Sequence, residues 1–179
     1  MTDSGGIPID ILAEDQIAVS GVLIPALTFV LDTTPLNFGL LLDSSIGGAG
    51  PNTMILTTNS PLGYTITVRD LGHGGSGGMW NTAKNHIIPS TTGLLQAGAA
   101  EGYGGQCTKI SGDGTCHANF NFAGDNVGDF TTANQIFASH NTPPTGAENF
   151  TITVHAAITS NTPGGSYYDR LTFIATAIY

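Results

Sequence analysis

Residues 149–159 and 167–179 alternate apolar and Thr-rich polar side chains, separated by Ser160-Asn161-Thr162-Pro163-Gly164-Gly165-Ser166. A period of two places one set of side chains on one face of an extended chain, as in a strand with one buried side. Nowhere do apolar residues recur at helical spacing over three turns, and Gly or Pro interrupts every candidate. A chain patterned this way builds a core only by packing sheets together.

Further β-like runs precede these two. Leu27-Thr28-Phe29-Val30-Leu31 and residues 36–42 flank a turn at Asp32-Thr33-Thr34-Pro35, and residues 44–51 (Ser-Ser-Ile-Gly-Gly-Ala-Gly-Pro) read as a flexible loop. Residues 53–58 and 64–69 read as an antiparallel hairpin turning at Asn59-Ser60-Pro61-Leu62-Gly63. Residues 70–92 are loop-like apart from a short apolar piece at 86–88, residues 116–122 alternate as the second arm of a cysteine hairpin, and 134–139 form another strand. About ten strands of uneven length suit an all-β fold, a two-sheet antiparallel sandwich of jelly-roll or Greek-key type, better than a closed barrel. The 179 residues are enough for one such domain.

An extension strand stands before it. Ile7, Ile9 and Ile11 recur at period two and Leu12 follows, while Pro8 removes a ladder donor and suits an edge or terminal strand. This divides the chain into an extension, 1–15, and a sandwich, 16–179. Something must cover those isoleucines, either a sheet of the same subunit or one of a neighbour.

Charge narrows the partners. Four Lys and Arg stand against thirteen Asp and Glu, for a net charge of -9, so the chain lacks the basic footprint that nucleic acid or an anionic membrane surface requires. No apolar run approaches the length of a membrane span. The start, Met-Thr-Asp-Ser-Gly-Gly, has neither a basic nor an apolar leader region, so a signal peptide is expected to be absent or already removed.

Cys107 and Cys116 flank a turn at Gly112-Asp113-Gly114-Thr115. A hairpin disulfide is the natural reading and would imply an oxidising, extracellular setting; free thiols, or a metal ligand pair with the adjacent His117, are the alternatives. The other candidates have bland readings beside them. Gly74-Gly75-Ser76-Gly77-Gly78 matches the Gly-x-Ser-x-Gly nucleophile elbow, but no helix follows, and a glycine run satisfies the pattern as a loop. His73, His86, His117, His140 and His155 are scattered without zinc-protease spacing. Asp113, Asp125 and Asp129 offer oxygens to calcium or simply form turns. Asn149-Phe150-Thr151 is a glycosylation sequon at a strand entrance. Trp80, Tyr103, Tyr167 and Tyr168 offer a sugar-stacking platform or pack in the core. No catalytic residue, metal or cofactor is assigned.

Four segments carry a resemblance: 24–29 (Ile-Pro-Ala-Leu-Thr-Phe), 36–39 (Leu-Asn-Phe-Gly), 56–68 (Leu-Thr-Thr-Asn-Ser-Pro-Leu-Gly-Tyr-Thr-Ile-Thr-Val) and 162–177, which opens Thr-Pro-Gly-Gly-Ser-Tyr-Tyr-Asp-Arg. The chain resembles exported β-sandwich proteins of prokaryotic cell surfaces, in the style of TasA/camelysin-like biofilm-fibre subunits and archaeal bundling pilins. The resemblance implies that an N-terminal strand leaves its own subunit and completes a sheet of the next. The segment bearing Ile7, Ile9, Ile11 and Leu12 matches that role by position and alternation. No zinc motif accompanies it, so the metalloprotease activity attributed to camelysin relatives is not carried over. The expectation is a non-enzymatic subunit of an extracellular, cell-surface filament: a head-to-tail homopolymer, with lateral bundling as a further contact between copies. A surface carbohydrate-binding or adhesin sandwich using Trp80 and the Gly-rich loops is the alternative, and an enzyme built on Ser76 comes third.

Overall fold

The computed structural model describes residues 23–32 and 35–179. Its strands are β1 (Leu27–Leu31), β2 (Gly47–Thr58), β3 (Tyr64–Asp70), β4 (Gly78–Asn81), β5 (His86–Pro89), β6 (Gly93–Leu94), β7 (Gly102–Ser111), β8 (Thr115–Cys116), β9 (Asn126–Val127), β10 (Gln135–His140), β11 (Glu148–Ala157) and β12 (Leu171–Ala177). Two antiparallel sheets of four strands, ordered β1-β2-β11-β7 and β12-β3-β10-β8, face each other, and β4-β5 and β6-β9 form two small ribbons. No helix is present among the described residues. The all-β sandwich expected from the alternation is the observed fold.

The core is the contact between inward parities. Tyr64, Ile66 and Val68 of β3 meet Met54 and Leu56 of β2 and Phe150, Ile152 and Val154 of β11, all fully or almost fully buried. A chain of rings extends this layer: Tyr103 to Phe130, Phe130 to Phe120, Phe120 to Phe137 and Phe137 to Phe173, with centroids 5.3–5.6 Å apart, within the range where aromatic pairs add to area burial. Gly105 makes room for it, because a Cβ there would lie 2.2 Å from Phe130 Cζ.

Three expectations about local structure are corrected. Residues 53–58 and 64–69 are not a hairpin: β2 pairs with β1 and β11, β3 with β12 and β10, so the turn at 59–63 crosses from one sheet to the other. Buried Ser60 fixes that crossing by donating its hydroxyl to the Ile178 carbonyl. The glycine-rich stretch expected as a loop is in part the first half of β2, with Gly47 and Gly48 opposite Ala156 and His155. Gly50, at φ 111°, takes up a bulge where the register slips between Ile152 and Val154, a conformation costly for any residue with a side chain. Finally, residues 117–122 do not form a long strand. After β8 the chain coils, with the Phe120 and Asn121 amides donating to the His117 carbonyl, and the turn drives Phe120 into the core.

Cys107 on β7 and Cys116 on β8 are joined, with Cα atoms 5.7 Å apart. The bridge links an edge of one sheet to an edge of the other, so it closes one seam of the sandwich covalently. Beside it lies Glu148, fully buried, whose carboxylate accepts from the Asp113 amide at 2.9 Å, the Gly114 amide at 2.8 Å and the Tyr64 hydroxyl at 2.9 Å. A buried carboxylate is tolerable only when hydrogen bonds replace its water, and this one has three. Burial and the neighbouring carboxylate push the Tyr64 hydroxyl far above its ordinary pKa, so it stays a donor.

Two outcomes are expected. Glu148→Ala strands the buried Tyr64 and Gly114 donors along with the half-buried Asp113 amide and lowers unfolding stability by about 3 kcal/mol, and Tyr64→Phe lowers it by about 1–2 kcal/mol, both read as shifts in the urea midpoint. Replacing Cys107 and Cys116 together by Ser opens the ten-residue loop and costs about 2.7 kcal/mol in the same titration.

Candidate functional site

The other seam is open. Among the described residues β1 has only β2 beside it and β12 only β3, and these two free edges lie next to one another. Their inward residues, Leu27, Phe29 and Leu31 on β1 and Leu171, Phe173 and Ala175 on β12, are only partly covered. Toward the Leu31 and Leu171 end the seam widens into a groove of about 830 Å³ lined by Met79, Ile88, Ile152 and Val154. Residues 35–41 form one wall, with Leu36 and Phe38 turned to the core and Leu40 left 83% exposed. Their backbone joins no ladder among the described residues, although the sequence reads as a strand. Residues 162–171 line the other side.

The N-terminal segment leaves from the opposite end. Asn59 grips the chain entering β1: its Nδ2 donates to the Ile24 carbonyl and its Oδ1 accepts the Ala26 amide, both at 2.8 Å. Register fixes the polarity. β1 runs from Leu27, opposite Thr58, to Leu31, opposite Met54; β12 runs from Leu171, opposite Asp70, to Ala177, opposite Tyr64. The exit therefore sits beside the 59–63 turn and the C-terminal Ile178 and Tyr179, and the groove opens at the far end. Ile7, Ile9, Ile11 and Leu12 lie outside the described residues.

A carboxyl pair sits at the groove. Asp70, 2% exposed, ends β3 and accepts the Gly72 amide at 2.5 Å and the Gly78 amide at 2.7 Å. Asp169, which lines the groove, accepts the Arg170 amide at 2.6 Å. Burial first, then neighbouring Asp169, raise the Asp70 carboxyl to about 8. The Tyr103 hydroxyl donates to Asp169 Oδ2 at 3.2 Å, and burial, followed by the two aspartates, pushes that hydroxyl well above its ordinary value. Glu101 holds the other end of the 162–171 segment, accepting from Thr162 Oγ1 at 2.5 Å while touching His86 Nε2 at 2.9 Å.

The remaining candidates fall elsewhere. Ser76 is exposed in a tight turn closed by its backbone pairing with His73. No hydrogen bond joins its hydroxyl to a histidine among the described residues. The His73 ring instead lies flat on Trp80, 3.6 Å between centroids, and occupies an indole face on which a sugar would stack. Tyr103 is core, Tyr167 donates to the Pro163 carbonyl and Tyr168 stands exposed beside Thr82. Asp113 binds the Thr145 amide and hydroxyl, which hold its carboxyl below the usual range. Asp129 accepts from Thr92 Oγ1, and the Asp125 carbonyl accepts the Leu95 amide. Among the described residues no three His, Cys, Asp or Glu converge as metal ligands. Asn149 lies in β11 with its amide donating to Ser111 Oγ at 2.6 Å. No helix among the described residues is long and apolar enough to cross a membrane.

The carboxyl pair makes stability pH-dependent. A folded pKa raised from 3.8 to about 8 gives a contribution that is complete below the unfolded value and lost as pH rises through the folded one. His155 acts the other way, since burial lowers its pKa and its contribution is lost as pH falls below 6.5. Above pH 6.5 the pair therefore acts against no histidine shift. Unfolding free energy should drop by about 1–2 kcal/mol between pH 6.5 and 8.5 in the parent chain, and Asp70→Asn should flatten that slope in denaturant titrations. No family model, no curated protein and no solved structure matches the chain, so the reading of the site rests on this geometry.

Proposed function

We propose that the chain is a structural, non-enzymatic subunit of an extracellular filament, in which the strand bearing Ile7, Ile9, Ile11 and Leu12 of one copy fills the open seam of the next. The observation that carries this is polarity: an apolar groove that the described residues leave open at one end of the sandwich, and the start of the described chain, Leu23 to Ala26, at the other. A donor and an acceptor on opposite ends make a heterologous contact, which propagates instead of closing as a dimer. Residues 13–22 can extend about 35 Å, enough to link a docked strand to its own sandwich. Burying the four apolar side chains contributes on the order of 10 kcal/mol before ordering costs.

Other features agree with a surface polymer. The disulfide is compatible with an oxidising compartment. The outer face of one sheet carries an uncharged hydroxyl row across four strands, Thr176, Thr65, Ser139 and Thr115. This row itself can pack against another filament without burying charge. The likeness to TasA/camelysin-like fibre subunits and bundling pilins points the same way.

Deleting residues 1–13 should leave folded monomers, whereas the full chain should form long fibres by negative-stain microscopy; fibres of normal yield from the truncation would refute strand donation. Ile9→Asp and Leu171→Asp should each block polymerisation. Mixed together, the intact groove of the first and the intact donor of the second should yield discrete dimers and no fibres, measured by light scattering after size exclusion.

A further inference from the structure

We propose that the paired arginines Arg69 and Arg170 are the dock for Asp10 of an incoming strand, and that this contact selects both the edge that accepts the strand and its register. The inference rests on reading the seam as a strand-docking site and gives that site an address. Arg69 of β3 and Arg170, which immediately precedes β12, share the outer face of their sheet. Arg69 stands opposite Thr172, two residues beyond Arg170, and the Leu71 amide donates to the Arg170 carbonyl at 2.9 Å, continuing the same ladder. Both side chains are exposed, and with Thr132 and Thr172 they line a pocket of about 190 Å³. Asp70 reaches this pocket too, but its carboxyl is engaged by the Gly72 and Gly78 amides. Among the described residues neither guanidinium has an ion-pair or side-chain hydrogen-bond partner. The chain has only four basic residues, and two of them stand together here. Like charges on neighbouring strands repel, and an incoming carboxylate relieves that repulsion while matching the planar guanidinium fork.

Parity identifies the occupant. Asp10 lies outside the described residues and enters by its place in the sequence. In an extended 7–12 segment Ile7, Ile9 and Ile11 share one face and Pro8, Asp10 and Leu12 the other, with Asp10 the only charge. Isoleucines turned into the groove leave Asp10 on the outer face. The outward residues of β1 are Thr28 and Val30, whereas those along the β12 edge are Arg170, Thr172, Ile174 and Thr176. Arg170 is the only cation among them, so the strand adds to β12 with Asp10 level with Arg170. Ile9 and Ile11 then fall level with Asp169 and Leu171, both of which line the groove, whichever way the strand runs. A slip of one residue would expose the isoleucines. A slip of two keeps them inward and is opposed only by the charge pair, because it moves Asp10 to Tyr168 or Thr172.

The mixture of Ile9→Asp and Leu171→Asp chains isolates one junction, since the first supplies only a groove and the second only a donor. Dissociation constants of that dimer, measured by analytical ultracentrifugation at low salt, test the dock. Asp10→Asn added to the donor chain should weaken the dimer about fivefold, and Arg170→Gln added to the acceptor chain should do the same. Both changes together should again cost about fivefold, not the roughly twenty-five-fold expected of independent sites. A dimer insensitive to either change, or losses that multiply, would overturn the arginine dock and leave strand donation standing. A mixture that forms no dimer before these changes are introduced would refute strand donation itself.

Discussion

The buried carboxylate of Glu148 is the interaction on which the rest of the sandwich depends. Glu148 begins β11, a central strand of one sheet; Tyr64 begins β3, a central strand of the other; and the Asp113 and Gly114 amides belong to the turn between the two cysteines. A single side chain thus holds three separate pieces of chain to a common point. Its energetics are one-sided. The net gain over an apolar packing of the same shape is small, because desolvation offsets much of what the hydrogen bonds return. Loss of one member leaves the others buried and unpaired, so the arrangement excludes alternative registers more than it adds stability.

Closure on that side explains the asymmetry of the molecule. The disulfide and the Glu148 cluster seal the β7–β8 seam, whereas among the described residues the β1–β12 seam has two strand edges with half-covered inner residues. Free edges flanking an apolar groove are a liability unless something occupies them. The proposed occupant comes from the chain itself, in another copy, and the polarity of entry and exit sets the direction in which copies would add.

Much of the fold was legible in the sequence, because alternation in segments such as 64–68 and 149–159 leaves no helical reading and the cysteine spacing suits a disulfide, although its two arms join opposite sheets instead of pairing as a hairpin. Pairing partners were not legible. Alternation says which face is buried but not which sheet a strand joins, so residues 53–58 and 64–69 looked like a hairpin although they belong to opposite sheets. Glycines misled in the same way: at 47–50 they serve strand pairing and a bulge rather than looseness. The site was half visible. The proposed donor segment was named by position and lies outside the described residues, whereas the buried carboxyls went unnoticed because acidic residues are read as surface. A signal was present: Asp70 continues the inward parity of Tyr64, Ile66 and Val68, and Glu148 precedes Phe150, Ile152 and Val154 in phase. An acid in step with core positions at a strand end marks a buried, partnered carboxyl.

The grip of Asn59 on the chain entering β1 has a mechanical consequence. A pull on the N-terminal segment arrives along the axis of β1, whose five residues are each paired with β2 between Thr58 and Met54. Load applied in that direction shears all of these pairs at once instead of unzipping them singly. The short strand is thereby a tensile anchor for load that enters at its N-terminal end.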